Sequence, residues 1–359
     1  MPLLSGDLAP TFRAPGPTNP DYNFATVAGR FVVLAFLPPQ PTPDALKALA
    51  AMRANRTLFD DVTRCFFGLV SDPDQFATAR DDVPGVRWLH DIGGRVAGLF
   101  EMTAPGWVVL DPSLRVLFTA PIGEAGSVMS RVAALNDVDD HAGVTLHAPV
   151  LIAPRIFEPA FCRKLIEAYD AVGGTPSGFM REIDGRTVAI SDASHKRRSD
   201  VTLDEGALRD AARARITRNL LPLIKQAFQY EATRMERYLV ACYDSDSGGW
   251  FRPHRDNTTK GTAHRRFAVS INLNAEDFEG GDLRFPEFGT RTYRPPTGGA
   301  VVFSCSLLHE ATPVTAGRRY AFLPFLYDED GARLREANAA FLDPALAGYR
   351  ADPETAAQT

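Results

Sequence analysis

Cysteine is scarce in this chain: four among 359 residues, at Cys65, Cys162, Cys242 and Cys305. No two stand at Cys-x-x-Cys or any other metal-ligand spacing, which argues against a disulfide framework and a thiolate zinc site. Each sits within or beside an apolar stretch, as in Arg64-Cys65-Phe66-Phe67, where a lone cysteine reads as a small core residue. Positive charge is not in excess either. Lys+Arg number 39 against 44 Asp+Glu, a formal net charge of −5, so nothing points to nucleic acid or an anionic membrane, both of which favour a basic surface. No apolar run approaches the roughly 18 residues of a membrane span. The opening Met1-Pro2-Leu3-Leu4-Ser5-Gly6-Asp7 has neither a basic start nor an apolar core of the kind a secretion signal carries, and a cytoplasmic protein is the expectation. Repeats and low-complexity tracts are missing too.

What remains is ordinary globular composition, 45% hydrophobic and 23% charged, in a chain long enough for about two domains at roughly 150 residues each. The polar stretch Asp137-Val138-Asp139-Asp140-His141-Ala142-Gly143 reads as a linker between differently patterned halves. In the first half, Phe31–Leu37 is a continuous apolar run typical of a strand buried on both faces. Pro38-Pro39 ends it, and Asp44–Phe59 places Leu46, Leu49, Met52 and Leu58 at roughly helical spacing. A second apolar run, Cys65–Val70, leads into another helix, and Trp107–Leu110 pairs with Val116–Thr119 as a hairpin. The pattern is that of a small α/β layered domain.

The second half opens with an amphipathic helix over Glu158–Val172 and a long helix over Leu208–Tyr230. From Arg237 to Tyr327 it is mostly short strands separated by Gly and Pro, among them Tyr238–Tyr243, Phe267–Leu273, Ala300–Ser304 and Tyr320–Tyr327. Many short strands of this kind suggest a sandwich or barrel. The segment after Asp330 reads as a helix and a frayed end.

Chemistry concentrates in this β-rich region. Pro253-His254-Arg255-Asp256 contains a His-x-Asp pair, and in an extended strand residues i and i+2 share a face about 6–7 Å apart. His309, after the strand Ala300–Ser304, is a second candidate imidazole. Two imidazoles and one carboxylate on one side of a metal form the facial triad of non-haem Fe(II) oxygenases, which leaves the other side open. Ten residues after His309 comes Arg319, a guanidinium suited to hold a carboxylate by a bidentate pair. Lys260 and His264 read as exposed loop residues near a substrate entrance, and the basic cluster His195-Lys196-Arg197-Arg198 as a solvated run.

The ordered set Val240-Ala241-Cys242-Tyr243, Pro253-His254-Arg255-Asp256-Asn257, Arg266–Asn274, Phe278-Glu279-Gly280-Gly281-Asp282-Leu283, Gly298–Phe303 and His309 through Tyr320 resembles the Fe(II)/2-oxoglutarate dioxygenases of the prolyl 4-hydroxylase type. The resemblance extends over about residues 150–330, with Ile152–Cys162 matching the family's entry strand and first helix. It implies a double-stranded β-helix (jelly-roll) domain in which His254, Asp256 and His309 ligate Fe(II). It further implies that Arg319 binds the distal carboxylate of 2-oxoglutarate, that Tyr243 contacts this cosubstrate, and that Arg198 approaches the substrate. Arg318 competes with Arg319 for that role; Arg319 is preferred because it directly precedes the aromatic that opens the last strand. Asn272 stands where several relatives carry a cosubstrate-binding tyrosine, which leaves the remaining contacts open. The implied reaction uses 2-oxoglutarate and O₂, releases succinate and CO₂, and hydroxylates an unactivated C–H, with ascorbate as a candidate reductant. A prolyl residue in a peptide or protein is the first substrate expectation, a free amino acid or small metabolite the second.

Residues 4–135 resemble a degenerate peroxiredoxin of the thioredoxin-like fold. Leu8-Ala9-Pro10-Thr11-Phe12 matches the family's opening, and Pro38 and Thr42 fit its Pro-x-x-x-Thr-x-x-Cys segment. Ala45, however, occupies the nucleophile's position, and Gly106 stands where an arginine normally assists. Peroxide reduction needs a thiolate at a helix N-terminus, so the resemblance implies a catalytically silent module that supports, presents substrate or dimerises. The resulting expectation is two domains: an α/β thioredoxin-like domain over 1–140 and an oxygenase domain over 146–330 with flanking helices, followed by a tail at 331–359. A homodimer through the first domain is among its open roles. The rivals from other classes are a thiol-peroxidase-like redox protein and a non-enzymatic binding module.

Overall fold

A computed structural model describes residues 3–349, and the chain divides into two compact units. One holds the chain up to Ala148 together with Phe285–Arg291; the other runs from Pro149 onward without that segment.

The first unit is built on a five-stranded sheet. In chain order its elements are β1 (Phe31–Phe36), α1 (Pro43–Ala54), β2 (Arg64–Val70), α2 (Pro73–Thr78), β3 (Val86–His90), α3 (Arg95–Leu99), β4 (Gly106–Leu110), β5 (Val116–Pro121) and α4 (Ala125–Ala133). The sheet order is β3-β2-β1-β4-β5. β1, β2 and β3 pair in parallel, while β4 and β5 join antiparallel. Every residue of β1 is buried, because Val33 and Ala35 pack with Ala48, Met52, Val128 and Val132 of α1 and α4 while the rings of Phe12, Phe24, Phe67 and Phe100 form a second cluster. Strand, helix, strand and helix follow as expected, and β3 and α3, which the sequence reading does not include, come before the hairpin.

Helix α1 departs from its expected span. It begins at Pro43 and stops at Ala54, and a separate 3-10 turn covers Arg56–Leu58. Thr42 caps it, its Oγ1 accepting from the Ala45 backbone N–H at 3.2 Å. Its inward face is Ala45, Ala48 and Met52, and Leu46 is exposed. The small residues let the helix approach the sheet closely, so the inward stripe is two alanines with Met52, and of the α1 positions that periodicity singles out only Met52 is fully buried.

In the second unit the elements are β6 (Leu151–Ala153), α5 (Pro159–Val172), β7 (Thr175–Pro176), β8 (Phe179–Ile183), β9 (Arg186–Ile190), β10 (Lys196–Arg197), β11 (Ser199–Thr202), α6 (Ala207–Asn219), α7 (Leu221–Phe228), β12 (Arg234–Glu236), β13 (Leu239–Asp244), β14 (Trp250–His254), β15 (Phe267–Asn272), β16 (Phe278–Gly280), β17 (Leu283–Arg284), β18 (Thr292–Tyr293), β19 (Ala300–Ser304), β20 (His309–Ala311), β21 (Val314–Phe322), β22 (Phe325–Tyr327) and α8 (Glu329–Ala337). A major sheet runs β12-β22-β15-β21-β13-β11-β7, with β16 on β21 and β19 joining β15 to β6. A minor sheet runs β10-β14-β20-β17-β18.

Alternation along β13 shows how the two sides of the major sheet are used. Val240 and Cys242 enter the core formed with Phe161, Leu165, Ile216 and Ile224 of the helices. Leu239, Ala241 and Tyr243 belong to a separate cluster with Phe251, Ala311 and Val314. Period-two side-chain direction makes one strand serve both layers, and it turns Tyr243 toward the minor sheet.

The expected long helix over Leu208–Tyr230 is two helices, broken at Leu220. Pro222 lies in the first turn of α7, where its missing N–H costs nothing, whereas inside one continuous helix it would remove a bond and clash with the preceding turn. The final helix, α8, starts at Glu329, capped by Asp328 accepting from the Gly331 N–H at 2.7 Å. Past α8 the segment expected to fray forms 3-10 turns at Ala339–Phe341 and Pro344–Tyr349, and its remainder lies outside the described residues.

Candidate active site

The triad begins with a register match between two short strands. His254 closes β14 and His309 opens β20, and the two are direct cross-strand partners after a bulge. Asp256 was expected on the same strand face as His254, but it lies past the strand's end in a turn, held by its N–H donating to the Cys305 carbonyl at 3.0 Å. The turn, and not strand pleating, brings the carboxylate round. Asp256 Oδ1 is 3.6 Å from His254 Nε2 and Oδ2 is 3.3 Å from His309 Nε2. All three ligand atoms lie within 4.8 Å of one another.

The two histidines are oriented by the same local device. His254 Nδ1 lies 2.7 Å from the Arg252 carbonyl, and His309 Nδ1 lies 3.0 Å from the Leu307 carbonyl. A carbonyl only accepts, so each Nδ1 carries a proton and each Nε2 is the ring atom that faces Asp256. Burial, aided by the neighbouring His309, pushes the His254 imidazole well below its ordinary pKa. Burial opposes ionisation of Asp256, but the two imidazoles and Arg265 outweigh it and hold the carboxyl below the usual range. A neutral His254 and an ionised Asp256 are the forms in which these two groups bind a metal. Cis ligands at about 2.1 Å from an ion sit about 3 Å apart, close to the 3.3 and 3.6 Å edges found here. Two neutral imidazoles and a carboxylate fit Fe(II) in a facial triad.

Arg319 comes from β21, where it is the cross-strand partner of Tyr243. It is 3% exposed, and its Nη2 donates to Ser270 Oγ at 2.9 Å and its Nε to Asn272 Oδ1 at 3.4 Å. Its neighbour Arg318 points the other way, 57% exposed and paired with Asp244 at 2.8 Å. Strand alternation thus separates the two arginines, and Arg319 is the one that enters the interior. Asn272 orients this guanidinium and also donates to the Pro295 carbonyl.

His254, Asp256, His309, Arg319, Tyr243 and Arg198 line one open cavity, walled by Phe251, Phe303, Leu323 and Phe325. The cluster expected to be solvated is divided: Arg197 is exposed, but Lys196 and Arg198 are buried. Asp200, two residues along, takes the Arg198 fork at 2.7 and 2.6 Å, and Lys196 Nζ donates to Ser177 Oγ and the Gly178 carbonyl. These partners remove the cost of burial that a solvated run would avoid. His264, expected in an exposed loop, is fully buried, with Nε2 3.0 Å from Glu236. Lys260 sits in a 3-10 turn over the Phe341 ring. Neither lines the cavity. Two polar lining residues are not singled out by the sequence: Ser270, a small polar residue inside an apolar strand, and Arg237, which stands in a left-handed backbone conformation (φ 66°).

In the first unit, Ala45 is buried at the start of α1. A side chain at Gly106 would meet the Ala120 carbonyl at 2.8 Å and the Met102 methyl at 2.9 Å, so this strand has no space for an arginine. Cys65 is buried in β2, and burial raises its thiol to about 12.

Residues 238–327 match the model of the 2OG-Fe(II) oxygenase superfamily, a class defined by Fe(II), 2-oxoglutarate and O₂, and this part of the chain is an oxygenase domain of that kind. Among curated relatives, a PKHD-type hydroxylase of Hyphomonas neptunium is 26% identical over 157 residues, 41% of this chain and 67% of its own length. A PKHD-type hydroxylase of Pseudomonas fluorescens is 38% identical over 91 residues, 23% of this chain and 39% of its own. The chain thus spans between about two fifths and two thirds of these relatives. A Pseudomonas putida prolyl-4-hydroxylase structure is 21% identical, covering 54% of this chain and 97% of its own, with a TM-score of 0.39. The peroxidoxin BcpB of Mycobacterium tuberculosis is 21% identical, covering 38% and 99%, with a TM-score of 0.32. Among the described residues no helix is long and apolar enough to cross a membrane.

Proposed function

We propose that the protein is an Fe(II)- and 2-oxoglutarate-dependent dioxygenase that hydroxylates an unactivated C–H, first of all that of a prolyl residue in a peptide or protein. The observation that carries this is the convergence of His254, Asp256 and His309, from two strand ends and a turn, in the cavity that Arg319 also lines. The oxygenase domain is read as a double-stranded β-helix, with the major and minor sheets as its two walls.

In this reading the three triad side chains hold Fe(II), which when bound supplies O₂ activation coupled to conversion of 2-oxoglutarate into succinate and CO₂. Arg319 binds the distal carboxylate of 2-oxoglutarate; Ser270 and Asn272 fix its guanidinium beforehand, so little side-chain freedom is lost on binding. Tyr243, its ring 5.2 Å from the Arg319 guanidinium carbon, forms the adjoining wall. Phe251 stacks on the His254 ring with centroids 3.5 Å apart, and Phe303 meets His309 at 4.6 Å. These rings form cavity wall against the two imidazoles and keep water from that part of the triad. Arg198 approaches the substrate from the far end.

The test is spectroscopic. Anaerobic protein given Fe(II) and 2-oxoglutarate is expected to develop the visible metal-to-ligand charge-transfer absorption of a chelated 2-oxo acid, and His254→Ala is expected to abolish it together with succinate formation. An unchanged band in His254→Ala removes that residue from the metal shell.

A further inference from the structure

Two of the triad residues are fixed by a strand ladder and the third is not. His254 and His309 are cross-strand partners, whereas Asp256 lies in the turn beyond β14, where no ladder sets its peptide. Its backbone is pinned on both sides instead. The N–H donates to the Cys305 carbonyl at 3.0 Å, and the carbonyl accepts from Arg265 Nη1 at 3.3 Å. Arg265, 4% exposed, stands just ahead of β15 and is itself held. Its Nε donates to Glu236 Oε1 at 2.7 Å, and its guanidinium carbon lies 3.9 Å from the ring centroid of Phe325, which lines the cavity. Glu236, in β12, meets His264 Nε2 and Arg335 Nη1 with its other oxygen, Oε2, each at 3.0 Å.

Stability alone does not account for a guanidinium at this place. The desolvation of a buried ion pair largely offsets its attraction, and well-packed apolar side chains of the same volume often serve as well. What an apolar side chain cannot do is join two polar groups at a set separation, and a planar fork of donors can. Here the fork spans the carboxylate of Glu236 on β12 and the peptide of the turn that bears Asp256, so the turn is referred to a strand of the major sheet. We infer that Arg265 is a positioning residue for the metal site. It holds the Asp256 turn where Oδ1 and Oδ2 lie 3.6 and 3.3 Å from the two imidazole nitrogens, and so sets the affinity for the divalent ion. The inference rests on the dioxygenase reading and concerns the same triad. A group that orients a ligand in this way typically carries roughly 10–100-fold in metal affinity.

The probe is Mn(II), a redox-stable divalent ion, titrated into the full chain and followed by the loss of its free-ion paramagnetic resonance signal. Arg265→Lys keeps a positive charge beside Glu236, but a single-point ammonium cannot hold both groups. Its Kd for Mn(II) is expected to rise about tenfold or more, and the absorption of its Fe(II)–2-oxoglutarate complex to shift or broaden. Glu236→Gln loosens the anchor of the guanidinium and is expected to act in the same direction by a smaller factor; it takes over the test should Arg265→Lys not fold. Arg335→Ala is the control. It removes a partner from the other oxygen of Glu236, and is expected to lower stability while leaving the Mn(II) affinity at the wild-type value. A wild-type Kd in Arg265→Lys, or an equal rise in Arg265→Lys and Arg335→Ala, overturns the proposal, because a merely structural network would treat the two alike. Mn(II) binding by the wild type and its loss in His254→Ala report separately on the triad, so an intact wild-type site with an unaffected Arg265→Lys rejects only the positioning role.

Discussion

Asp200 shows how one carboxylate sets the character of the cavity's far end. Burial opposes its ionisation, yet Arg198, Lys196 and Arg237 bring its pKa down to about 2. Its folded-state pKa therefore lies below the ordinary carboxylate value, so its contribution to stability is complete above about pH 4 and drains away as the pH falls toward 2. A depression from 3.8 to about 2 corresponds to about 2 kcal/mol. Glu236 and Asp256 are depressed too and add losses of the same sign, so the check is a difference. Urea unfolding of wild type and Asp200→Asn between pH 6 and 2.5 is expected to show a steeper acid loss in the wild type by about that amount. Parallel curves would remove Asp200 from the account. The same residue explains a sequence reading that failed. Lys196 and Arg198 look like a solvated basic run because their partners are invisible locally: Ser177 and Gly178 lie some 20 residues back, and Asp200 reads as one more loop acid.

At the scale of elements, α8 is fastened to the oxygenase unit by a buried ion network. Arg335 reaches Glu236 at 3.0 Å and the Tyr327 hydroxyl at 2.9 Å. Glu236 also receives Arg265 at 2.7 Å, and Arg265 Nη1 donates to the Asp256 carbonyl at 3.3 Å. Arg335→Ala leaves Glu236 short of one buried charge partner and is expected to cost about 1–3 kcal/mol, measured by chemical denaturation; a change below about 0.5 kcal/mol would mean that the helix is held by packing alone. Elements with strong local signals were legible in the sequence. Phe31–Leu37 is apolar throughout and forms a central strand, and the hairpin at Asp111–Leu114 turns where Asp-Pro-Ser predicts. The break at Leu220 was not, because apolar spacing runs on through it and only Pro222 marks the stop. His264 was misplaced for a related reason: its partner Glu236 is 28 residues away, and nothing beside it in sequence announces burial. His254, Asp256, His309 and Arg319 were legible as candidates from residue type and order, and the structure brings them to one cavity. Arg237 and Ser270 were not, since nothing beside them in sequence announces that they line the cavity.

Taken whole, the molecule joins a unit built for catalysis to one from which the catalytic groups expected by resemblance are missing. Ala45 caps no thiolate, the sheet is closed against a side chain at Gly106, and the remaining thiol of that unit is buried and held protonated. Peroxide consumption by the purified protein with a dithiol reductant is therefore expected to stay at the protein-free rate, and Cys65→Ser to leave that rate unchanged. Robust turnover lost in Cys65→Ser would restore a redox role to the first unit.

The Tyr243 ring lies beside both Arg319 and Arg198, at 5.2 and 5.7 Å, so a single phenol shields two fixed guanidiniums from bulk solvent. Trimmed to alanine, it would let water reach both, and the raised local dielectric would loosen the grip of either on an anionic group.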